Sequence, residues 1–269
     1  MKREPSLKLA RSPLILVLAQ VKFSPILKVS DFVPDIQEVM RGRELTRYSG
    51  QKAQQVSFGP DLKAESIQRW VFSSRDQREA VILANDFVVY ETSNYEVFGT
   101  FWDRFREILE VIKSKVKIDF AEQIGLRYVD LVRPADGRDA SEFLRESIRG
   151  LSGEALNLDD SRLRHKFLIQ AETGHGTLLV KSFENSGKDF MSPDLDPSDL
   201  RFPVEPSDDE VYRILDFDHI YRGEINFDPD AIEDKLWALH AVTSKAFLAM
   251  VTEEAIEYWK GEEIQCPAQ

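Results

Sequence analysis

Two aspartates, Asp216 and Asp218, stand two residues apart inside the run Val211–Ile225. Side chains alternate faces along a strand, so the two carboxylates point the same way. A pair placed like this can hold a divalent ion for phosphoryl transfer. That chemistry also needs a third acid and a lysine close by, and no spacing in the chain supplies them. Ile214 and Ile220 share the same face, so a mixed polar and apolar surface accounts for the pattern as well. A second pair, Arg127 and Tyr128, lies in the strand-like run Ile124–Val132, where neighbours face opposite sides. Asp130 shares the face of Tyr128, so a buried Arg127 must find its carboxylate elsewhere. Arg127 then serves either to bind an anion or partner or to tie its strand to a neighbouring loop. A third candidate is Trp70, in Gln68-Arg69-Trp70-Val71-Phe72 with Arg75 following, and a similar basic stretch holds Arg162, Arg164, His165 and Lys166. Aromatics interleaved with arginines can stack single-stranded bases. The competing reading sends Trp70 and Phe72 into a core.

Other reactive constellations are missing. His165, His175, His219 and His240 show no helical ligand spacing, and no cysteine pair accompanies them. His240, next to Leu239, reads as a packed core histidine. There is no nucleophile elbow, phosphate-cradling loop or dinucleotide glycine fingerprint. No cofactor and no catalytic residue is expected.

Charge narrows the partners. The 47 acidic and 35 basic side chains leave a net charge of −12. Such a field repels nucleic-acid phosphates and anionic lipid and attracts basic proteins. The longest unbroken apolar run, Leu14–Ala19, falls far short of the roughly 20 residues a membrane-spanning helix needs. Lys2, Arg3, Lys8 and Arg11 precede that run as in a signal peptide, but Gln20 and Lys22 interrupt it and no cleavage pattern follows. The lone cysteine, Cys266, can form no internal disulfide, which fits a reducing cytoplasm.

The elements that must position these residues follow from periodicity. Leu14–Phe23 begins apolar throughout and ends in alternation, as a central strand with one wetter end does. Phe32, Ile36 and Met40 form one stripe of a helix capped at Ser30 or Asp31. Strands follow at 54–58, 67–74 and 79–92, the last with a bulge or turn at Ala84-Asn85-Asp86. Phe98, Phe101, Trp102, Phe105, Leu109, Ile112 and Val116 keep the helical period over 97–115. Ile124–Val132 is a strand, a short helix begins after Ser141, and 162–171 with 177–183 form a hairpin around Gly174-His175-Gly176. Residues 184–210 hold four prolines and many acids, the composition of a solvated, mobile loop. Strand 211–225 and a long helix opened by Asp228-Pro229 close the chain, with a further turn at 253–259.

The two halves, 13–118 and 119–262, share an element order, with tails at 1–12 and 263–269. The expected fold is therefore α+β: a predominantly antiparallel sheet covered by two long helices, a duplicated β-α-β-β-β-α unit.

The strand Ile124-Gly125-Leu126-Arg127-Tyr128-Val129 carries a resemblance. Its Gly-Leu-Arg-Tyr core is similar to the signature of an uncharacterised, sporadically distributed prokaryotic protein family. The apolar opening strand ending in Phe23, and Leu239-His240 with Phe247 and Thr252, match it too. The resemblance implies no agreed enzyme and no agreed cofactor, and such patchy families associate with defence and toxin–antitoxin loci.

Together these readings give a non-enzymatic cytoplasmic binding or regulatory protein, antitoxin-like or defence-accessory. It has a basic protein partner and the capacity to form homo-oligomers. Arg127, Tyr128 and Trp70 are its candidate binding residues, and the acidic loop is its contact surface. The alternatives are a metal-dependent phosphodiester-acting enzyme using Asp216 and Asp218, and a single-stranded nucleic-acid binder.

Overall fold

In a computed structural model, the described residues are 8–57, 63–158, 163–188, 190–192, 194–195, 197 and 200–261, without the side chains of 53–57 and 63–67. Phe58, Arg162, Cys266, the tail residues 1–7 and the C-terminal tail lie outside them. Among the described residues, nine strands form one antiparallel sheet: β1 (Leu14–Phe23), β2 (Arg47–Ser57), β3 (Lys63–Ser73), β4 (Glu79–Leu83), β5 (Phe87–Thr92), β6 (Phe120–Val132), β7 (Lys166–Thr173), β8 (Gly176–Ser186) and β9 (Val211–Asn226). Their spatial order is β2-β3-β4-β5-β1-β6-β9-β8-β7. The helices are α1 (Val29–Gly42), α2 (Phe98–Val116), α3 (Pro229–Met250) and α4 (Glu253–Lys260). The expected α+β class with an antiparallel sheet is what the chain adopts.

Several boundaries differ from expectation. The segment 79–92 is two strands, and of the two alternatives at Ala84-Asn85-Asp86, bulge or turn, it is the turn that forms; Ala84 N–H donates to the Phe87 carbonyl at 2.9 Å. The helix after Ser141 is a short 3₁₀ turn, Ala140–Phe143, whose Asp139 and Glu142 form a capping box. Neither Ser30 nor Asp31 caps α1, which begins at Val29 with no side-chain cap. The Asp228 carboxylate does cap α3, accepting from the Asp230 N–H. Thr252 caps α4 in the same way. The first half carries one strand more than the expected unit, and 3₁₀ turns stand in the second half where α1 stands in the first.

Successive strand residues send their side chains into two different clusters, one on each face of the sheet. Val17, Ala19, Val21, Trp70, Phe72, Val81, Tyr128 and Phe217 join the larger cluster with residues from all four helices. Val71, Ile82, Val129, Leu131 and Ile214 join the smaller one. In α2 the predicted stripe is buried throughout, and burial on this scale contributes on the order of 10 kcal/mol before entropy.

The smaller cluster corrects the expectation that the loop at 184–210 is solvated throughout. Residues 184–186 continue β8. Beyond them Phe190 and Leu200 are buried against the helix-free face, with Met191, Leu195 and Phe202 packed beside them. The apolar side chains of this segment point inward, while Glu205, Asp208 and Asp209 remain exposed. Proline and acid dominate its composition, yet a few aromatic and aliphatic anchors decide where it lies.

Candidate functional site

Beneath that covering segment lies a charged cluster centred on Arg127. In the pairing of β6 with β9, Val129 stands opposite Asp216 and Arg127 opposite Asp218. In the pairing of β8 with β9, Lys181 stands opposite Asp216. Alternation puts Arg127, Lys181, Asp216 and Asp218 on the face away from the helices. Arg127 Nε donates to Asp216 Oδ1 at 2.7 Å and Nη2 to Oδ2 at 2.6 Å, a bidentate pair. Arg127 Nη1 donates to Asp194 Oδ2 at 3.0 Å, and Lys181 Nζ donates to Asp194 Oδ1 at 2.7 Å. Ser192 Oγ donates to Asp216 Oδ2 at 2.7 Å. Asp216 is completely buried, and the Arg127 side chain is 7% exposed.

The electrostatics agree with a closed network. Burial opposes the charge on Arg127, but its bonds to Asp216 and Asp194 outweigh that and raise its pKa. Burial likewise opposes ionisation of Asp194, yet hydrogen bonds from Arg127 and Lys181 bring its pKa down to about 2. Asp218 has a raised pKa because of its burial, against the pull of Arg127.

Arg127 thus ties its strand to a neighbouring strand and, through Asp194, to the segment over the sheet. Its carboxylate comes from β9, not from Asp130. The third acid and the lysine that phosphoryl-transfer chemistry requires are both present, as Asp194 and Lys181. The space between the acids, however, is filled by a guanidinium. Among the described residues, no group of three or more potential ligands is arranged to hold a metal ion. Neither Asp194 nor Ser192 carries any signal in the sequence, because their partners are set by where a loop lands. Lys181 was within reach of alternation along β8, but its partner depended on strand register.

Tyr128 faces the helices, with its hydroxyl 2.8 Å from His240 Nδ1. His240 stacks on Phe98 with ring centroids 4.2 Å apart. Burial pushes the His240 imidazole down to about 4, so it is neutral near pH 7, and its tautomer decides which partner donates in the contact with the Tyr128 hydroxyl. Asp130 is buried on this side as well. Burial, and then the charge of Asp216, pushes its carboxyl up to about 8. Trp70 is 7% exposed in the helix-side core, with Phe72 fully buried beside it. No base can stack on Trp70 unless that core opens. Arg127, Tyr128 and Trp70 therefore do not share one surface: the first faces the covering segment, and the other two face the helices.

Among the described residues, concavities also lie apart from the charged cluster. One of about 290 Å³ is bordered by Arg213, Glu184 and Asp139. Another, of about 580 Å³, is bordered by Arg138, Glu253 and Glu257. Each mixes both signs of charge. No described helix is long and apolar enough to cross a membrane.

No protein-family model matches the chain, and no curated protein matches it.

Proposed function

We propose that this chain is a non-enzymatic binding or regulatory protein that meets a basic protein partner, in the manner of an antitoxin or defence-accessory factor of the cytoplasm. The observation that carries this reading is the closed cluster: Asp216 spends its carboxylate on Arg127 and Ser192, and Asp194 spends its own on Arg127 and Lys181. A carboxylate engaged by buried donors gives no nucleophile, base or open metal ligand without first breaking charge-assisted bonds. The contact surface is the outer skin of the covering segment. Its apolar residues are anchored inward and Glu205, Asp208 and Asp209 face outward, so a basic partner meets acid on a fixed support and not on a free coil. The network through Asp194 adds a polar tie between this skin and the sheet, beside the apolar anchors.

The strand order also supports a duplicated fold. The halves β1-β5-β4-β3 and β6-β9-β8-β7 run outward from the central β1–β6 pair in matching sequence, and α2 follows β5 as α3 follows β9. We read α2 and α3 as equivalent covering helices, and the chain as a member of the sporadic prokaryotic family it resembles.

The test is co-purification from the native host. The wild-type chain should retain a basic partner encoded nearby. Glu205→Lys/Asp208→Lys/Asp209→Lys should lose that partner while its stability stays within about 0.5 kcal/mol, as for exposed sites. A wild-type chain that elutes alone and hydrolyses nucleic acid with magnesium or manganese would refute the proposal.

A further inference from the structure

Among the described residues, the sheet ends in a strand, β7, with a neighbour on one side only. β7 pairs with β8 over its whole length without a register shift, and among the described strands it has no second neighbour. Antiparallel ladders use alternate residues, so half of the backbone donors and acceptors of β7 point away from β8. Natural sheets blunt such edges with proline, bulges, inward charges or a covering loop. β7 has neither proline nor bulge, and Leu168 is 69% exposed and Ile169 43% exposed. Gly150 abuts the His165 ring just ahead of β7, which brings exposed Leu151 to the same end of the molecule.

We propose that β7 pairs antiparallel with β7 of a second copy of this chain, joining two nine-stranded sheets across a two-fold axis at Ile169. The strand, Lys166-Phe167-Leu168-Ile169-Gln170-Ala171-Glu172-Thr173, holds one cation and one anion. The axis through Ile169 opposes them twice, Lys166 to Glu172 and Glu172 to Lys166. The same register sets Phe167 against Ala171 and Ile169 against itself, an unbroken apolar row. That row continues the helix-side core, since Ile169 lies opposite buried Val180 and Ala171 opposite buried Leu178 on β8. Leu168 meets Gln170 on the other face. Cross-strand pairs of these kinds each stabilise a sheet, and self-complementarity is what a two-fold interface demands. The net charge of −12 on each chain opposes approach at long range. Salt screens that repulsion beyond about 8 Å under physiological conditions, which leaves the local pairs to decide. One strand pairing with its flanking leucines is smaller than a standard interface, so the dimer dissociates at about 10 µM.

The experiment is sedimentation equilibrium on the full-length chain from about 1 to about 200 µM, a range that brackets this dissociation constant. The mass should rise from 30.9 kDa toward twice that value. Lys166→Glu should weaken association by about tenfold or more, because it sets like charges opposite each other twice. Lys166→Glu/Glu172→Lys should restore it. Ile169→Cys in a Cys266→Ser background should cross-link to a dimer under mild oxidant, because residues directly opposite have Cβ atoms about 5 Å apart. A chain that stays monomeric throughout would overturn the proposal. So would a dimer that ignores Lys166→Glu, or an Ile169→Cys chain that does not cross-link. None of these outcomes touches the acidic skin, where the proposed basic partner binds, so the two proposals fail separately.

Discussion

Removing Asp216 should destabilise the protein far more than removing Asp216 and Arg127 together. Asp216 is completely buried and accepts two Arg127 hydrogen bonds at 2.6 and 2.7 Å. Asp216→Asn keeps the shape but strips the charge that balances a guanidinium 7% exposed. Asp194 is the remaining acid on Arg127, with a half-exposed side chain that is shared with Lys181. Stranding one member of a buried pair costs about 3–5 kcal/mol. That is a large share of a domain stability of about 5–15 kcal/mol. Arg127→Met/Asp216→Leu removes both charges and fills the space with apolar atoms. Lys181 keeps its 2.7 Å bond to Asp194 in this variant. The double variant also takes Arg127 from the half-exposed Asp194, and Asp216 from Lys181, 3.7 Å away; Asp194 and Lys181 are both in partial contact with water. Its main loss is the Ser192 hydroxyl, 1% exposed and left without its acceptor, which costs about 1–3 kcal/mol. The double variant should therefore lie within about 3 kcal/mol of wild type, and the coupling between the two sites should be at least about 2 kcal/mol. Urea titration followed by tryptophan fluorescence measures Asp216→Asn, the double variant and the single variants Arg127→Met and Asp216→Leu that close the cycle, with an unchanged slope showing that the unfolded state is the same. Additive losses, or an Asp216→Asn protein more stable than wild type, would refute the reasoning. The second result is what relief of repulsion between clustered metal-binding acids would produce.

Three further outcomes follow from buried groups. His240 is held down to about 4 when folded, against an ordinary value of 6.5. The unfolded chain takes up the proton first, so this contribution is present above about pH 6.5 and is lost as pH falls toward 4, on the order of 3 kcal/mol in all; His240→Gln should flatten that part of the pH profile of the urea midpoint. Asp130 runs the other way: its folded carboxyl is raised to about 8 from 3.8, so stability present at low pH is lost as pH rises through that window. Asp130→Asn should gain stability over wild type at pH 8 and show no gain at pH 4 in the same assay. Trp70→Ala should cost about 3–5 kcal/mol through the cavity it leaves, and the wild-type chain should show no salt-sensitive retention on single-stranded DNA for that variant to abolish.

Strong periodicity made much of the fold legible. The stripe of α2, the apolar opening of β1 and the Asp228-Pro229 start of α3 each follow from residues close in sequence. The split of 79–92 into β4 and β5 was harder to read, because nearly all of these residues are buried on both faces and show no alternation. β2 begins at Arg47, seven residues before the predicted start, in a polar stretch that pairing with β3 holds in the sheet. The covering segment misled through composition: five hydrophobic anchors outweigh its prolines and acids. The charged cluster could be read only in part. Alternation placed Asp216 and Asp218 on one face and excluded Asp130 as the partner of Arg127. That β6 pairs with β9, and that Asp194 comes down beside them, are long-range outcomes which local pattern does not encode.

The measurement that tests the closed cluster most directly is the melting temperature of the wild-type chain and Asp218→Asn across a manganese and magnesium titration. A site between these acids with the metal at 100 times its dissociation constant would add about 2.7 kcal/mol, or roughly 5–10 °C for a chain of this size. With Arg127 occupying that place, both proteins should melt within about 1 °C of their metal-free values. A rise of several degrees in the wild type that disappears in Asp218→Asn would contradict the account.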